Sequence, residues 1–118
     1  SHPKLGASWE GFCLEQILSV CGDRAAHFWG THSGAELDLL LFHGGRRLGF
    51  EFKFSDRPAT TKSMRIVLQD LALDHLYVVH PGEHEFPLDE SITAMPLPRL
   101  VDFLRSGPVH VPRERRKT

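Results

Sequence analysis

Apolar residues recur every three or four positions in three stretches of the chain, which is the spacing of amphipathic helices. Ser8 is expected to cap the first helix and Gly22 to end it, because serine and glycine are favoured at those positions. Pro98 is expected to open the last helix, since proline is favoured in a first helical turn. The predicted helices span residues 8–21, 62–73 and 98–105.

Short apolar runs bounded by turn residues predict five strands. Gly44 and Gly45 indicate a tight two-residue hairpin between the second strand and the third. A strand followed by a helix and another strand favours a parallel crossover, so the pattern predicts an α/β fold with helices on a mixed sheet. Residues 55–61 and 83–91 are expected to be loops. The strands span residues 27–31, 36–43, 46–54, 75–79 and 92–95.

The hairpin also predicts which side chains face each other. With a two-residue loop, Asp38 lies opposite Glu51 and Glu36 lies opposite Lys53. Side-chain alternation places these four residues on one face of the sheet. The other face is expected to lie against the core, and it carries Leu37, Leu39, Leu41, Leu48, Phe50, Phe52 and Phe54.

Two opposed carboxylates need a physical reason, since like charges across neighbouring strands destabilise a sheet. One reason is a divalent cation between Asp38 and Glu51, because hard oxygen ligands suit Mg²⁺. Another is a shared proton, with the pKa of one carboxyl raised. The simplest alternative is an exposed sheet face with solvated carboxylates and a salt bridge between Glu36 and Lys53.

Glu10 adds a third carboxylate, on the first predicted helix. At about 100° per residue it lies within the apolar arc of Trp9, Cys13 and Ile17, whereas Glu15 lies on the polar side. A carboxylate on a buried face is costly unless it reaches a cation, so Glu10 is a candidate for the same site. The alternative is a glutamate near a helix start, where the helix dipole favours it.

Composition and charge limit the classes of function. The chain has 118 residues, 41% of them hydrophobic, and a formal net charge of −1, as expected of one globular domain. This charge excludes a binder that works by bulk positive charge, so a nucleic-acid site would be a local patch. No apolar run is long enough to span a membrane, and no signal peptide is visible. Cys13 and Cys21 are too far apart on one helix for a disulfide, which favours a cytoplasmic location.

The two ends of the chain carry further signals. The sequence begins Ser1-His2-Pro3 without a methionine, which indicates a domain excised from a larger protein. Residues 1–106 are expected to form the α/β domain. Residues 107–118 are expected to be a disordered tail, and their basic side chains are Arg113, Arg115, Arg116 and Lys117.

Glu10, Asp38 and the triplet Glu51-Phe52-Lys53 stand in the order of a known signature. They resemble the PD-(D/E)xK nuclease superfamily, which implies a restriction-endonuclease-like fold, a mixed sheet flanked by helices. Leu37 stands where the superfamily name has a proline before the aspartate. That proline is often absent from the superfamily's members.

A series of longer motifs also runs in order along the chain. They are Ala7-Ser8-Trp9-Glu10-Gly11-Phe12, Gly34-Ala35-Glu36-Leu37-Asp38, Gly49-Phe50-Glu51-Phe52-Lys53, Ser63-Met64-Arg65 and Tyr77-Val78-Val79, followed by Pro81-Gly82. The series is similar to the C-terminal domain of unknown function of prokaryotic AAA+ family ATPases, over roughly residues 3–105. The resemblance implies a parent protein whose ATPase domain is a partner of this one. Any nucleotide chemistry would belong to that other part, since no ATP-binding loop stands in this chain.

The nuclease resemblance implies a catalytic set made of Glu10, Asp38, Glu51 and Lys53. Mg²⁺ would be held by Asp38, Glu51 and the Phe52 carbonyl, with Glu10 binding directly or through water. The ion would lower the pKa of a bound water and neutralise charge on the scissile phosphate. Lys53 would orient or deprotonate the attacking water, or stabilise the transition state.

Residues around this set would complete the site. Glu36 would lie just behind the metal ligands or hold Lys53. The loop and the start of the second helix would contact DNA phosphates, although a solvated helix start explains the same residues. The nucleic-acid candidates are Arg57, Thr61, Lys62, Ser63 and Arg65.

The sequence therefore supports more than one function. The first is a Mg²⁺-dependent phosphodiesterase that acts on DNA. The second is a catalytically inactive module that docks DNA or a partner for its parent ATPase, and the third is a purely structural cap on that ATPase. A zinc site at His80 and His84 is a weaker hypothesis, because their spacing fits no standard site.

Overall fold

The computed structural model describes residues 5–22, 25–26, 29–30, 34–55 and 57–106. Within these residues no helix is long and apolar enough to cross a membrane. Most of the first predicted strand and the whole predicted tail, 107–118, lie outside the described residues. The elements are α1 (Leu5–Cys21), β1 (Ala25–Ala26), β2 (Trp29–Gly30), β3 (Glu36–Leu37), β4 (Leu39–His43), β5 (Arg46–Phe52), α2 (Lys62–Asp70), β6 (His75–His80), β7 (Phe86–Asp89), β8 (Ile92–Pro96) and α3 (Leu97–Arg105).

Six of these strands form one mixed sheet in the order β1-β4-β5-β6-β8-β7. β5, β6 and β8 run parallel in its centre, and the outer strands pair antiparallel. α2 connects β5 to β6, so the predicted parallel crossover is confirmed. The fold is mixed α/β, with helices packed against the sheet as the sequence predicted.

The hairpin between β4 and β5 has the predicted register. Leu39 lies opposite Phe50 and His43 lies opposite Arg46. Gly44 and Gly45 have φ angles of 62° and 80°. Both values lie in the left-handed region that a two-residue hairpin loop requires.

The strand predicted over residues 36–43 is interrupted at Asp38. Its first part, β3, pairs with β2 in a separate two-stranded sheet, and only β4 continues beside β5. At the break, Asp38 Oδ2 accepts a hydrogen bond from the Phe52 N–H at 2.8 Å. A side chain thus takes the place of a main-chain acceptor, which ends the ladder.

Two predictions made from the hairpin are wrong as a result of this interruption. The expected ladder pairs between Asp38 and Glu51 and between Glu36 and Lys53 do not form, because β3 pairs elsewhere. β5 also ends before Lys53, two residues earlier than the pattern indicated.

The hydrophobic core consists of two clusters on opposite sides of the sheet. One contains Leu39 and Phe50 and packs against α1 and α3, while the other packs against α2. Leu37, predicted to share a face with Leu39, belongs to the α2 cluster because the break at Asp38 shifts the alternation. Phe54, also predicted to face the core, is 46% exposed because β5 has already ended.

The helix boundaries differ from the prediction by more than one residue in two places, while α3 begins at Leu97, one residue before the predicted Pro98. α1 begins at Leu5, so Ser8 lies inside the helix instead of capping it. The residues before Ser8 include good helix formers that extend the first turn. α2 ends at Asp70, and the turn that follows places Ala72 at a φ of 52°. Gly22 follows α1 with a φ of 59°, as a C-terminal glycine should.

An edge strand lies in a segment that the sequence predicted to be a loop. Phe86–Asp89 forms β7, which pairs antiparallel with β8, so the prediction of a loop over residues 83–91 is wrong there. Pro87 cannot donate a ladder hydrogen bond and lowers the strand signal. Proline is accepted at a sheet edge, however, and β7 is the edge strand of the six-stranded sheet.

Cys13 and Cys21 are buried and form no disulfide with each other, as predicted. Burial, reinforced by the negative charge of Glu10, raises the pKa of the Cys13 thiol to about 12. A thiol that stays protonated is a poor nucleophile, so Cys13 serves packing in the α1 side of the core.

Gly49→Ala is expected to destabilise the domain by roughly 1 kcal/mol and Gly49→Val by about 3 kcal/mol. A Cβ at Gly49 would stand 2.6 Å from Leu73 Cδ1 and 3.1 Å from a methyl carbon of each of Leu37 and Leu76. Only the flexible tip of Leu73 can move away cheaply. Urea unfolding would measure the change. Gly11→Ala in α1 meets nothing within 4 Å and should stabilise instead, so equal effects at both positions would contradict this account.

Candidate active site

A cavity of about 270 Å³ opens where β5 ends and α2 begins. It gathers side chains that are distant in the sequence, including three acidic residues and one lysine. The structure brings the four strand residues singled out from the sequence to this one cavity, together with two of the phosphate candidates. The lining residues are Gly34, Glu36, Asp38, Glu51, Lys53, Thr61, Ser63 and Met64.

The Asp38 carboxylate is fixed in this cavity by the end of the β4–β5 ladder. Its Oδ2 atom takes the Phe52 N–H, so the carboxylate cannot rotate away without leaving that donor unpaired. The Glu51 carboxyl, one residue before Phe52 in β5, lies beside Asp38, whose charge and side chain both raise the pKa of Glu51. The opposed carboxylates of the sequence analysis are therefore in contact, although side chains and not a ladder pair bring them together.

Glu51 has the most strongly shifted pKa among the residues that line the cavity. Burial and then the negative charge of Asp38 raise its pKa to about 8, while Lys53 acts in the opposite direction. Burial and the neighbouring charge of Asp38 therefore favour the protonated form of Glu51. This direction is the one expected of the shared-proton explanation, and the sequence also left a bound cation and a solvated sheet face as alternatives.

Glu10 approaches the same site from α1. Partial burial and the charge of Asp38 raise its pKa, and Lys53 lowers it, so these three groups share one electrostatic environment. Glu10 nevertheless remains exposed and lies outside the residues that line the cavity. Among the described residues, no group of three or more His, Cys, Asp and Glu side chains is arranged to hold a metal ion.

The remaining residues of the predicted set occupy different positions. Glu36 is exposed in β3 and reaches the cavity from the two-stranded sheet. Phe52 has a buried side chain that belongs to the core, so only its backbone could serve the site. Its N–H is taken by Asp38, and binding of a metal by its carbonyl stays a prediction.

The five nucleic-acid candidates lie at different places in the structure. Thr61 and Ser63 line the cavity, and Thr61 Oγ1 also caps α2 by accepting the Met64 N–H at 3.2 Å. Lys62 is the exposed first residue of α2. Arg65 forms an ion pair with Asp89 of β7 and does not line the cavity.

Arg57 lies on a different and larger cavity, near the turn that follows β6. The sequence grouped Arg57 with the α2 residues because they are close along the chain. The structure separates them, since the segment between β5 and α2 borders two cavities, one with Lys53 and one with Phe54.

His80, one of the two residues of the zinc hypothesis, uses both ring nitrogens in hydrogen bonds. Its Nδ1 accepts the Gly82 N–H at 3.0 Å, so its Nε2 carries the proton and donates to the His84 carbonyl, also at 3.0 Å. A neutral ring with both nitrogens in use is not available to zinc. The buried imidazole instead fixes the turn after β6, a role that the sequence gave no signal to find.

Comparison with known proteins identifies relatives without a known activity. A family model described as "Domain of unknown function (DUF4143)" matches residues 5–100. The uncharacterized protein Mb2031c of Mycobacterium bovis and the uncharacterized protein Rv2008c of Mycobacterium tuberculosis are each 45% identical over 100 residues. The match covers 85% of this chain and 23% of each relative, so the chain spans less than a quarter of these curated relatives. No solved structure matches the chain.

Proposed function

The chain belongs to the DUF4143 domain family, and from that premise we propose that it is a Mg²⁺-dependent phosphodiesterase domain acting on DNA. In this proposal it is the C-terminal, PD-(D/E)xK-like domain of an AAA+ ATPase. One observation carries it, namely the cavity in which Asp38, Glu51 and Lys53 meet at the end of β5. Two carboxyl groups in contact beside a cationic side chain are the groups that metal-assisted phosphate chemistry needs.

The donor set of the cavity fits Mg²⁺. Carboxyl oxygens are the hard ligands that this ion prefers, and Mg²⁺ is commonly held by one or two carboxylates, with water and substrate phosphate in the other positions. Asp38 and Glu51 meet that requirement without a third fixed ligand, and Glu10 interacts electrostatically with both. When bound, the ion would activate water and offset charge on the phosphate.

The protein's own side chains would bind and orient the substrate. Lys53 lies close enough to lower the pKa of both Glu10 and Glu51, so its ammonium group supplies positive charge next to the carboxylates. A phosphate that enters the cavity would meet this charge, which also opposes the charge that develops in the transition state. The hydroxyl of Ser63 offers a further hydrogen-bond donor at the start of α2.

The test combines metal binding with cleavage. Mg²⁺ and Mn²⁺ titrations followed by NMR should give saturable shifts at Glu10, Asp38 and Glu51, and Asp38→Asn should abolish them. Lys53→Met should retain metal binding and lower the cleavage rate of DNA by roughly 100-fold or more. Glu15→Gln, on the polar side of α1, is the matched control and should change neither measurement. An absence of shifts at about 10 mM metal would contradict the proposal.

A catalytically inactive docking module for DNA or a partner protein is the second candidate. Two observations favour a partner protein as the molecule that this module docks, the formal net charge of −1 and the engagement of Arg65 with Asp89. Both limit the positive charge available to a DNA backbone. Binding of DNA or of the ATPase part without metal shifts and without cleavage would select this candidate.

A further inference from the structure

The larger cavity, of about 950 Å³, has no part in the chemistry proposed above. It lies beyond the ends of the parallel strands β5 and β6, between the segment after β5 and the turn before β7. Ligands of open parallel sheets bind at this end of the strands. The volume is also in the range of pockets that take small organic ligands.

The walls of this cavity are fixed by interactions that lie behind them. Phe54 is backed by Trp9 of α1, with ring centroids 5.7 Å apart. Phe86 is backed by His80, also at 5.7 Å. His80 fixes the turn after β6 through both ring nitrogens. The wall of the cavity that carries Phe86 therefore does not need a ligand to hold its position.

The lining combines aromatic rings with a few polar groups. Phe54 and Phe86 offer apolar faces, and Phe54 is exposed although large aromatic residues are usually covered. Arg57 contributes an exposed guanidinium, and His84 and Glu83 contribute an imidazole and a carboxylate. An aromatic face beside an arginine is the combination that binds an unpaired nucleotide, with the base stacked and the phosphate paired.

Both cavities border the segment that follows β5, since Lys53 lines the carboxylate cavity and Phe54, the next residue, lines this one. A nucleic-acid strand at the carboxylate cavity and a nucleotide in this cavity would therefore contact the same segment.

We infer that the larger cavity binds one unpaired nucleotide of a nucleic-acid strand, with its base on Phe54 or Phe86 and its phosphate at Arg57. This inference rests on the proposed function, because it names the substrate as single-stranded or locally unpaired. A base paired inside a duplex could not reach an aromatic face without leaving its stack.

The test measures binding in EDTA, where cleavage is impossible. Fluorescence anisotropy of a labelled oligothymidine of about 12 nucleotides, at roughly 50 mM salt, gives the affinity of the 118-residue chain. We expect Phe54→Ala and Arg57→Gln each to weaken binding by roughly tenfold, as loss of one stacked base or phosphate contact does. Glu83→Gln should tighten binding about twofold, since it removes a negative charge from the lining. The same strand in a duplex should bind at least about fivefold more weakly.

Phe42→Ala is the matched control, because Phe42 is 48% exposed, close to the 46% of Phe54, but lies on β4 under the Arg47 guanidinium. This variant should bind oligothymidine like the unmodified chain. Equal weakening by Phe42→Ala and Phe54→Ala, no effect of Arg57→Gln, or equal affinity for duplex and single strand would each overturn the inference. Arg57 is exposed, so Arg57→Gln remains informative if Phe54→Ala fails to fold.

The same experiment separates this inference from the proposed function. The binding measurement contains no metal, so its outcome does not depend on whether Asp38 and Glu51 hold Mg²⁺. Intact binding together with a failed metal titration would remove the phosphodiesterase and leave the nucleotide site. Metal binding without any affinity for oligothymidine would remove the nucleotide site and leave the phosphodiesterase proposal standing.

Discussion

Asp38→Ala is expected to lower the free energy of unfolding by roughly 1–3 kcal/mol more than Asp38→Asn does. Both substitutions remove the charge that Asp38 presents to Glu51, so their difference isolates the hydrogen bond to the Phe52 N–H. Asparagine retains a side-chain oxygen that can accept this bond. Alanine leaves a main-chain donor unpaired beside the buried Phe52 side chain, which is 5% exposed. Urea unfolding at pH 7 would measure both variants.

A matched pair at Asp74 tests whether burial is the reason. Asp74 Oδ2 accepts the Arg47 N–H at 2.7 Å, the same type of bond in an exposed setting. Water can replace this acceptor, so Asp74→Ala and Asp74→Asn should differ by less than about 1 kcal/mol. An equally large difference at Asp74, or no difference between the two Asp38 variants, would show that the side chain does not end the ladder as described.

Glu51→Gln is expected to stabilise the domain at pH 9 by roughly 1–3 kcal/mol, the range typical of substitutions at a buried charge. Burial and Asp38 raise the folded pKa of Glu51 to about 8, from an ordinary glutamate pKa of 4.5. Between these two values the folded state binds the extra proton, so the free energy of unfolding of the native chain falls as pH rises. The contribution of Glu51 is complete below about pH 4.5 and is lost by about pH 8.

Glutamine cannot ionise, and its amide can still donate to Asp38. Chemical unfolding from pH 4 to pH 9 should therefore give a flatter curve for Glu51→Gln, with the two proteins nearly equal at the acid end. Glu15→Gln, at an exposed position of α1, should follow the native curve. A parallel offset of the Glu51→Gln curve at every pH would mean that packing, and not the shared proton, explains the change.

The variants at Asp38 and Glu51 both concern how the repulsion between these two carboxyl groups is relieved. Without a cation, the close approach of Asp38 and Glu51 is relieved by a proton, and with a cation it would be relieved by the ion. Mg²⁺ would thus have to displace that proton before it could bind both carboxylates. We expect the metal titration proposed above to be most sensitive near pH 8, where less of Glu51 is protonated.

Local signals in the sequence determined most of the regular structure. The two glycines at positions 44 and 45 set the β4–β5 register, because only a two-residue loop with positive φ angles fits between those strands. The apolar stripe that includes Met64 and Val67 determined the buried face of α2. The residue types Asp38, Glu51 and Lys53 were sufficient to identify the candidate site, because unmatched carboxylates on a sheet face call for an explanation.

The tertiary structure alone decided how those residues meet. Asp38 leaves the ladder because its carboxylate takes the Phe52 N–H, and this contact joins atoms fourteen residues apart. Because of the same break, Leu37 lies on the α2 side of the core. The regular alternation that was used to assign side chains to the two faces of the sheet ends there. Phe54 is consequently exposed beside a cavity that no periodic pattern indicates. Periodicity records local backbone geometry, whereas a side chain that replaces a main-chain acceptor depends on distant partners, which only the folded chain brings within hydrogen-bonding distance.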